Sequence, residues 1–414
     1  MSTAEVCALA KEASYRLATF TPTEKKAMLI AMANGIGDEM DDILVANNDD
    51  IFNAKQNGKE DTFIDRLTLY KSRIRQMIDG IMAVAELPDP VGEVTEKWTV
   101  PSGLQISKVR APLGVVAIIY EARPNVTADA AALAIKSGNA VVLRGSREAI
   151  NSNLAIFNAM KNALVKGGYD ANVLQFLAEP DRAVTAELLK QSDTVDVVIP
   201  RGGEGLKKFV LENSAVPVIA SAGGNCHTYV EKSADLKMAD NVLFNAKVSR
   251  PSVCNATEQL IVDRAVAAPF LTKSLDRLAK QGVKILGCAE TCRIYPMAEL
   301  ATEEDFYEEH LGLVLSVKVV SGYKEAIERI NKYGTHHSDA IISTSNEAIE
   351  AFKAGVDSAA VYVNASTRFT DGFEFGFGAE MAISTQKLHA RGPLGLKQLT
   401  SEKYVVVGEG QVRK

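Results

Sequence analysis

Apolar residues return every three to four positions over residues 1–87, as in MLIAMANGIGDEMDDILVANNDDI, and this rhythm predicts a run of amphipathic helices. LPDPVGEV at 87–94 breaks it with prolines and a glycine, which marks a connection. WTVPSGLQISKVRAP, 98–112, then alternates polar and apolar residues around Pro-Ser-Gly and predicts a hairpin-like arm. From 113 to 221 short β-branched runs (VVAIIY, AVVLRG, VLQFL, VDVVIP and VPVIAS) alternate with helical stretches such as VTADAAALAIKS, DRAVTAELLK and EGLKKFVLEN. Strand and helix taking turns indicate a parallel sheet with helices on both faces, and the runs are apolar throughout, as doubly covered strands are. A second α/β segment covers 222–398, with strands expected at EQLIV, VKILG, GLVLSVKVV, DAIIST and AAVYVN. The tail TSEKYVVVGEGQV has strand character and no helix after it, so it is free to extend a sheet in a neighbouring subunit.

A length of 414 residues calls for two or three domains. A net charge of −6 leaves no footprint for nucleic acid or an anionic membrane, so an anionic substrate must be met by individual Arg and Lys side chains. The longest apolar runs fall short of a membrane span, and the N-terminus lacks a secretory pattern. Five cysteines in a chain this long do not make a disulfide framework. The expectation is a cytoplasmic protein with reduced thiols.

One cysteine stands out. In RPSVCNATEQLIV, Cys254 lies between a proline-led turn and a strand-like run, among small and polar neighbours. A free thiol with a pKa of about 8.5 is only slightly ionised at neutral pH and needs a nearby cation or backbone donors to act as a nucleophile. Lys247, on the expected preceding helix, and Arg250 are the cations upstream. From the residues alone, Cys254 reads either as such a nucleophile or as buried filler. Cys288 and Cys292 have metal-like proximity but no second pair or spaced histidines to complete a site, and His336 and His337 stand as an isolated pair, so no metal is expected. The strands are of a nucleotide-binding sort, yet none is followed by G-x-G-x-x-G.

APLGVVAIIY, SGNAVVLRGS, SAGGN, VCNATEQLIV, EEHLGLV and VYVNAS, in that order, resemble the landmarks of the aldehyde dehydrogenase superfamily. Within it, AKVSRPSVCNATEQLIV, YGTHHSDAII and FGFGAEMAISTQKLHARGPLGLKQLTSEKYVV are similar to the γ-glutamyl phosphate reductase family. One departure is Arg329, where that family's pattern carries a histidine. The resemblance implies an α/β, aldehyde-dehydrogenase-like fold: a parallel-sheet NADP-binding domain (1–97 and 113–221), an α/β catalytic domain (222–398) and a β oligomerisation arm (98–112 and 399–414). It implies NADPH-dependent reduction of an acyl phosphate through a thioester on Cys254, in a homo-oligomer (dimer or tetramer). Transient contact with glutamate 5-kinase is a further expectation. The alternative within the superfamily is an aldehyde-oxidising or CoA-acylating dehydrogenase.

The site residues follow from the same resemblance. Hydrolytic members carry E-L-G-G-K, whose glutamate activates water; here the matching residues are Ser221, Ala222, Gly223, Gly224 and Asn225, with no carboxylate. An acyl group that arrives or leaves on phosphate suits such a site better than one released by water. The Cys254 N–H is the expected oxyanion donor. Asn125 in YEARPNVT is a candidate second donor, and equally a helix cap. Where relatives have K-P-S-E, with the acid on the adenosine ribose, this chain has Arg144, Gly145, Ser146 and Arg147. Losing the acid and gaining Arg147 favours the 2′-phosphate of NADPH. Gly202 and Gly203 in PRGGEG open a helix towards a pyrophosphate, and Glu309 in EEHLG matches the glutamate that holds the nicotinamide ribose. Arg123, Arg250, Arg368 and Arg391 are the candidate cations for the substrate's anionic groups.

Overall fold

The computed structural model describes residues 1–221 and 223–413. Five helices come first: α1 (Thr3–Leu17), α2 (Pro22–Asp38), α3 (Met40–Gln56), α4 (Asp61–Leu67) and α5 (Lys71–Glu86). Reciprocal capping boxes start the first two, Ser2 with Glu5 and Thr21 with Glu24, and Pro22 at the head of α2 presets its first turn. A hairpin follows, β1 (Val94–Thr99) and β2 (Gln105–Pro112), and then β3 (Val115–Tyr120), α6 (Asn125–Lys136), β4 (Ala140–Arg144), α7 (Ile150–Lys166), β5 (Leu174–Phe176), α8 (Arg182–Leu188), β6 (Val197–Arg201) and α9 (Glu204–Asn213).

The second half runs β7 (Cys226–Val230), α10 (Leu236–Val248), β8 (Thr257–Asp263), α11 (Arg264–Ala279), β9 (Lys284–Gly287), α12 (Ala289–Ile294), β10 (Glu299–Leu300) and β11 (Val314–Val320). After these come α13 (Tyr323–Tyr333), β12 (Ser338–Ile342), α14 (Asn346–Gly355), β13 (Ala360–Val363), the short pair β14 (Ile383–Ser384) and β15 (Gly392–Pro393), and β16 (Thr400–Val407).

The chain divides into two compact units. The first comprises Met1–Ser221, Gly376–Ala382 and Leu394–Lys414; the second comprises Ala222–Phe375 and Ile383–Pro393. In the first unit β5-β4-β3-β6 form a parallel sheet, with every residue of β3 and β4 buried. β4 and β5 lie on one side of β3 and β6 on the other, so the order reverses beside β3. In open α/β sheets that reversal opens a crevice at the carboxyl ends of the strands. A separate antiparallel sheet, β1-β2-β16, leaves β16 as an edge strand with Tyr404, Val405, Val406 and Val407 exposed. This hairpin starts at Val94, four residues before the sequence pattern signals it.

The second unit holds a seven-stranded parallel sheet, β10-β9-β11-β8-β7-β12-β13. The expected α/β architecture is therefore observed, with differences at VPVIAS and CHTYV and with the additional two-residue strands β10, β14 and β15. VPVIAS makes only a parallel bridge from Val218 to Val198, because Pro217 has no N–H to give a ladder. CHTYV, which hydrophobic patterning passes over, is β7, a central and wholly buried strand. Its polar side chains are satisfied sideways: His227 Nδ1 lies 2.8 Å from Asp339 Oδ1, and the Thr228 and Thr257 hydroxyls are 2.8 Å apart. No helix among the described residues is long and apolar enough to cross a membrane.

Candidate active site

In the second unit Cys254 sits in the turn between α10 and β8, half-buried. This turn is pinned from several sides. Asn255 Nδ2 donates to the carbonyl of Thr370 at 2.9 Å, and the Thr367 hydroxyl donates to the carbonyl of Asn255 at 2.7 Å. The thiol of Cys226, at the start of β7, donates to the Cys254 carbonyl at 3.1 Å. Burial raises the Cys226 thiol well above its ordinary range, so it stays protonated and available as a donor. Gly224 packs its backbone onto Cys254 so closely that a Cβ there would overlap the Cys254 carbonyl oxygen; no other residue type fits.

Two of the four candidate arginines lie beside this turn. Arg250 is exposed three residues after Lys247; Arg368 donates through Nη1 to Asn255 Oδ1 and through Nε to the Ser249 hydroxyl at 3.2 Å. Burial and then the adjacent Arg250 cation lower the pKa of Arg368. Two guanidinium groups held within repulsive range make a site that gains by taking up an anion. Arg391, by contrast, is committed to Asp357, with Nη1 on Oδ1 at 2.9 Å and Nη2 on the backbone carbonyl at 2.7 Å. Lys247, a candidate cation for the thiol, is fully buried and paired with Glu258 at 2.6 Å. Glu309 accepts the Gly224 N–H at 2.5 Å, so in this unit its carboxylate reaches the residue that packs on Cys254. Asn225 is buried, its amide donating to the carbonyls of Phe306 and Tyr333, both at 2.9 Å. Ala222 lies outside the described residues.

In the first unit the crevice at the ends of β3, β4 and β6 carries the other candidates. The Glu121 N–H donates to the Arg201 carbonyl at 3.1 Å, which brings the loops after β3 and β6 together, and Gly202 packs against the Glu121 side chain. Gly203 is the N-cap of α9 and makes no side-chain capping bond, which leaves the N-terminus of that helix as the candidate anion contact. At the end of β4, Arg144 is buried with Nη1 on the Gly145 carbonyl and Nη2 on the Asp181 carbonyl at 3.2 Å. Three buried polar atoms gather there with no hydrogen-bond partner among the described residues: Arg144 Nε, Ser146 Oγ and Nδ2 of Asn153, which packs on Gly145. Unsatisfied buried donors at the carboxyl end of a parallel strand fit a polar ligand such as the ribose of a dinucleotide. Arg147, one residue on, is exposed.

Asn125 is the first residue of α6, after Pro124; its amide donates to Asp129 Oδ2 at 2.9 Å, so it pairs along the helix rather than capping it. Arg123 is exposed in the loop after β3. Ser221, at the place of the hydrolytic glutamate, points its hydroxyl to the Pro200 carbonyl at 3.4 Å. Among the described residues no group of three or more His, Cys, Asp or Glu is placed to hold a metal ion.

Sequence reasoning found Cys254 and both arginines beside it. It missed the contacts of Cys226 on β7 with the Cys254 carbonyl and of Glu258 on β8 with Lys247 and Leu311, which only the fold brings together; the one available signal was an acid four residues past the cysteine.

Residues 2–305 match the model of the aldehyde dehydrogenase family. The chain is 54% identical over 405 residues to a γ-glutamyl phosphate reductase of Clostridium kluyveri, covering 98% of this chain and 97% of that one. It is 51% identical to the γ-glutamyl phosphate reductase of Moorella thermoacetica over the same shares. The crystal structure of γ-glutamyl phosphate reductase from Thermotoga maritima superposes with a TM-score of 0.98 at 44% identity, covering all of both chains.

Proposed function

The chain belongs to the aldehyde dehydrogenase family, and from that premise we propose that it is a γ-glutamyl phosphate reductase. It reduces L-glutamate 5-phosphate to L-glutamate 5-semialdehyde and phosphate, a step of proline biosynthesis. The observation that carries this reading is the full-length identity to enzymes of that name, joined to a pinned cysteine flanked by two arginines and matched by no hydrolytic carboxylate.

The chemistry assigned to the chain's own residues begins with Cys254. Its thiolate attacks the acyl carbonyl; the S–C bond forms, the C–O bond to phosphorus breaks, and phosphate departs as a good leaving group without a strong acid. Arg250 and Arg368 are the cations for that phosphate, and the Cys254 N–H donates to the oxyanion. What the nicotinamide cofactor contributes when bound is hydride to the resulting thioester; breakage of the C–S bond then returns the thiolate and frees the aldehyde. The loops after β3, β4 and β6 are the part of the chain assigned to hold it: Gly202 and Gly203 at the pyrophosphate, Arg144 and Ser146 at the adenosine ribose. Glu309 is assigned to the nicotinamide ribose, and Asn125 to the second oxyanion contact, by resemblance.

The phosphorylated cofactor NADPH is the proposed form, because Arg147 stands exposed one residue past Ser146 where relatives place an acid. Arg147→Glu is expected to raise KM for NADPH about ten- to a hundredfold, the worth of one charge-assisted hydrogen bond, while KM for NADH changes little. Steady-state kinetics with both cofactors decide it; equal effects on the two refute the assignment. The reaction itself is tested by the reverse assay with phosphate withheld.

We further propose a homo-oligomer, dimer or tetramer, built through the exposed edge strand β16, working in the cytoplasm. Transient docking of glutamate 5-kinase would shield the labile acyl phosphate on its way to Cys254.

A further inference from the structure

Two ionisable side chains unused by the chemistry above are buried beside the nucleophile. Lys247 ends α10 and Glu258 lies on β8; they are 2.6 Å apart and fully enclosed. Taking two charges out of water is costly, and such a pair is generally no more stabilising than well-packed apolar side chains. Its presence beside a reactive cysteine points to a geometric task.

Glu258 uses its two oxygens differently: Oε2 meets Lys247, and Oε1 accepts the N–H of Leu311 at 3.3 Å. Leu311 has φ 51°, a left-handed conformation that a leucine keeps only where its surroundings impose it. Two residues earlier, Glu309 accepts the N–H of Gly224, and Gly224 rests on the carbonyl of Cys254. The contacts close a ring. From Cys254 the chain runs four residues to Glu258, crosses to Leu311, returns through Glu309 to Gly224 and ends on Cys254 again.

We propose that Glu258 is a positioning residue for the nucleophile: by anchoring Leu311 it sets Glu309 on Gly224, and so fixes the Cα and carbonyl of Cys254, the residue whose own N–H must meet the developing oxyanion. Lys247 meets the other carboxylate oxygen at 2.6 Å and compensates the buried charge of Glu258. Burial, opposed by Lys247, pushes the Glu258 carboxyl up to about 7, and burial also lowers the pKa of Lys247, as expected of groups kept in place at an energetic cost. The inference rests on Cys254 being the acyl acceptor.

The test compares two double variants that both remove the ion pair. Lys247→Met with Glu258→Leu loses the acceptor for Leu311; Lys247→Met with Glu258→Gln keeps a carbonyl oxygen for it. The probe is p-nitrophenyl acetate: the thiolate bonds to the acetyl carbon, the ester C–O bond breaks, and nitrophenolate leaves in a burst. The leucine pair is expected to slow the burst about tenfold or more, as small misplacements of reacting groups do. Its alkylation by iodoacetamide, which needs only the thiolate, should stay within about twofold. The glutamine pair should stay within about twofold of the unaltered enzyme in both readouts, its hydrogen bond being retained. A leucine pair that acylates at the unaltered rate overturns the proposal, as does a glutamine pair that falls as far as the leucine pair. Should the leucine pair not fold, the glutamine pair decides alone: a burst near the unaltered rate supports the proposal, and a tenfold loss overturns it. An unaltered enzyme with no burst would instead remove the acyl-acceptor reading on which the proposal rests, a result distinct from equality among variants.

Discussion

Cys254→Ser is expected to lower kcat by at least about a thousandfold while NADPH affinity, measured without substrate, stays within about twofold. A serine hydroxyl needs a base to become a nucleophile, and the amide, hydroxyls, thiol and Arg368 guanidinium described on this turn take no proton at neutral pH. The loss should fall on kcat because the variant has no bond to form, whereas the residues assigned to the cofactor's adenosine and pyrophosphate lie in the other unit and are untouched. Cys254 is only half-buried, so the exchange should cost about 1 kcal/mol or less in stability, and unchanged melting separates lost chemistry from lost fold. Residual turnover within tenfold of the parent would refute the nucleophile assignment.

Withholding phosphate and arsenate from the reverse reaction should cut semialdehyde oxidation about a hundredfold or more, the usual worth of a general base that this site lacks. A thioester on Cys254 has to be released by an incoming nucleophile. In hydrolytic relatives a glutamate readies water; here the matching residue is Ser221, whose hydroxyl is turned to the Pro200 carbonyl. Phosphate needs no such help, since it arrives already anionic, and Arg250 and Arg368 are the cations proposed to meet it. Readout is NADPH formation with phosphate, with arsenate and with neither. Equal rates in all three would place the protein with the aldehyde-oxidising dehydrogenases.

The sheets were largely legible because buried parallel strands are written as unbroken apolar runs; VVAIIY is such a run in full, and AVVLR is one up to its last residue, Arg144. CHTYV was not, since His227 and Thr228 look like surface residues until Asp339 and Thr257 arrive beside them from other strands. The same limit governs the site. Cys254 showed itself by poor apolar company. The SAGGN stretch drew notice for an absent acid, whereas the structural task of Gly224 is to let its backbone meet Cys254. Arg391 reads like Arg368 in sequence, yet Asp357 claims it, and nothing local announces a partner 34 residues away. Lys247 and Glu258 lie on a helix and a strand that share no periodicity, so their pairing emerges only when the turn between them folds back.

The most direct measurement is mass spectrometry of enzyme mixed with γ-glutamyl phosphate in the absence of NADPH, quenched in acid and digested. The account predicts one glutamyl group per chain, on the peptide containing Cys254, lost on treatment with hydroxylamine. A glutamyl group on any other side chain, or an unmodified chain after phosphate has been released, would contradict it.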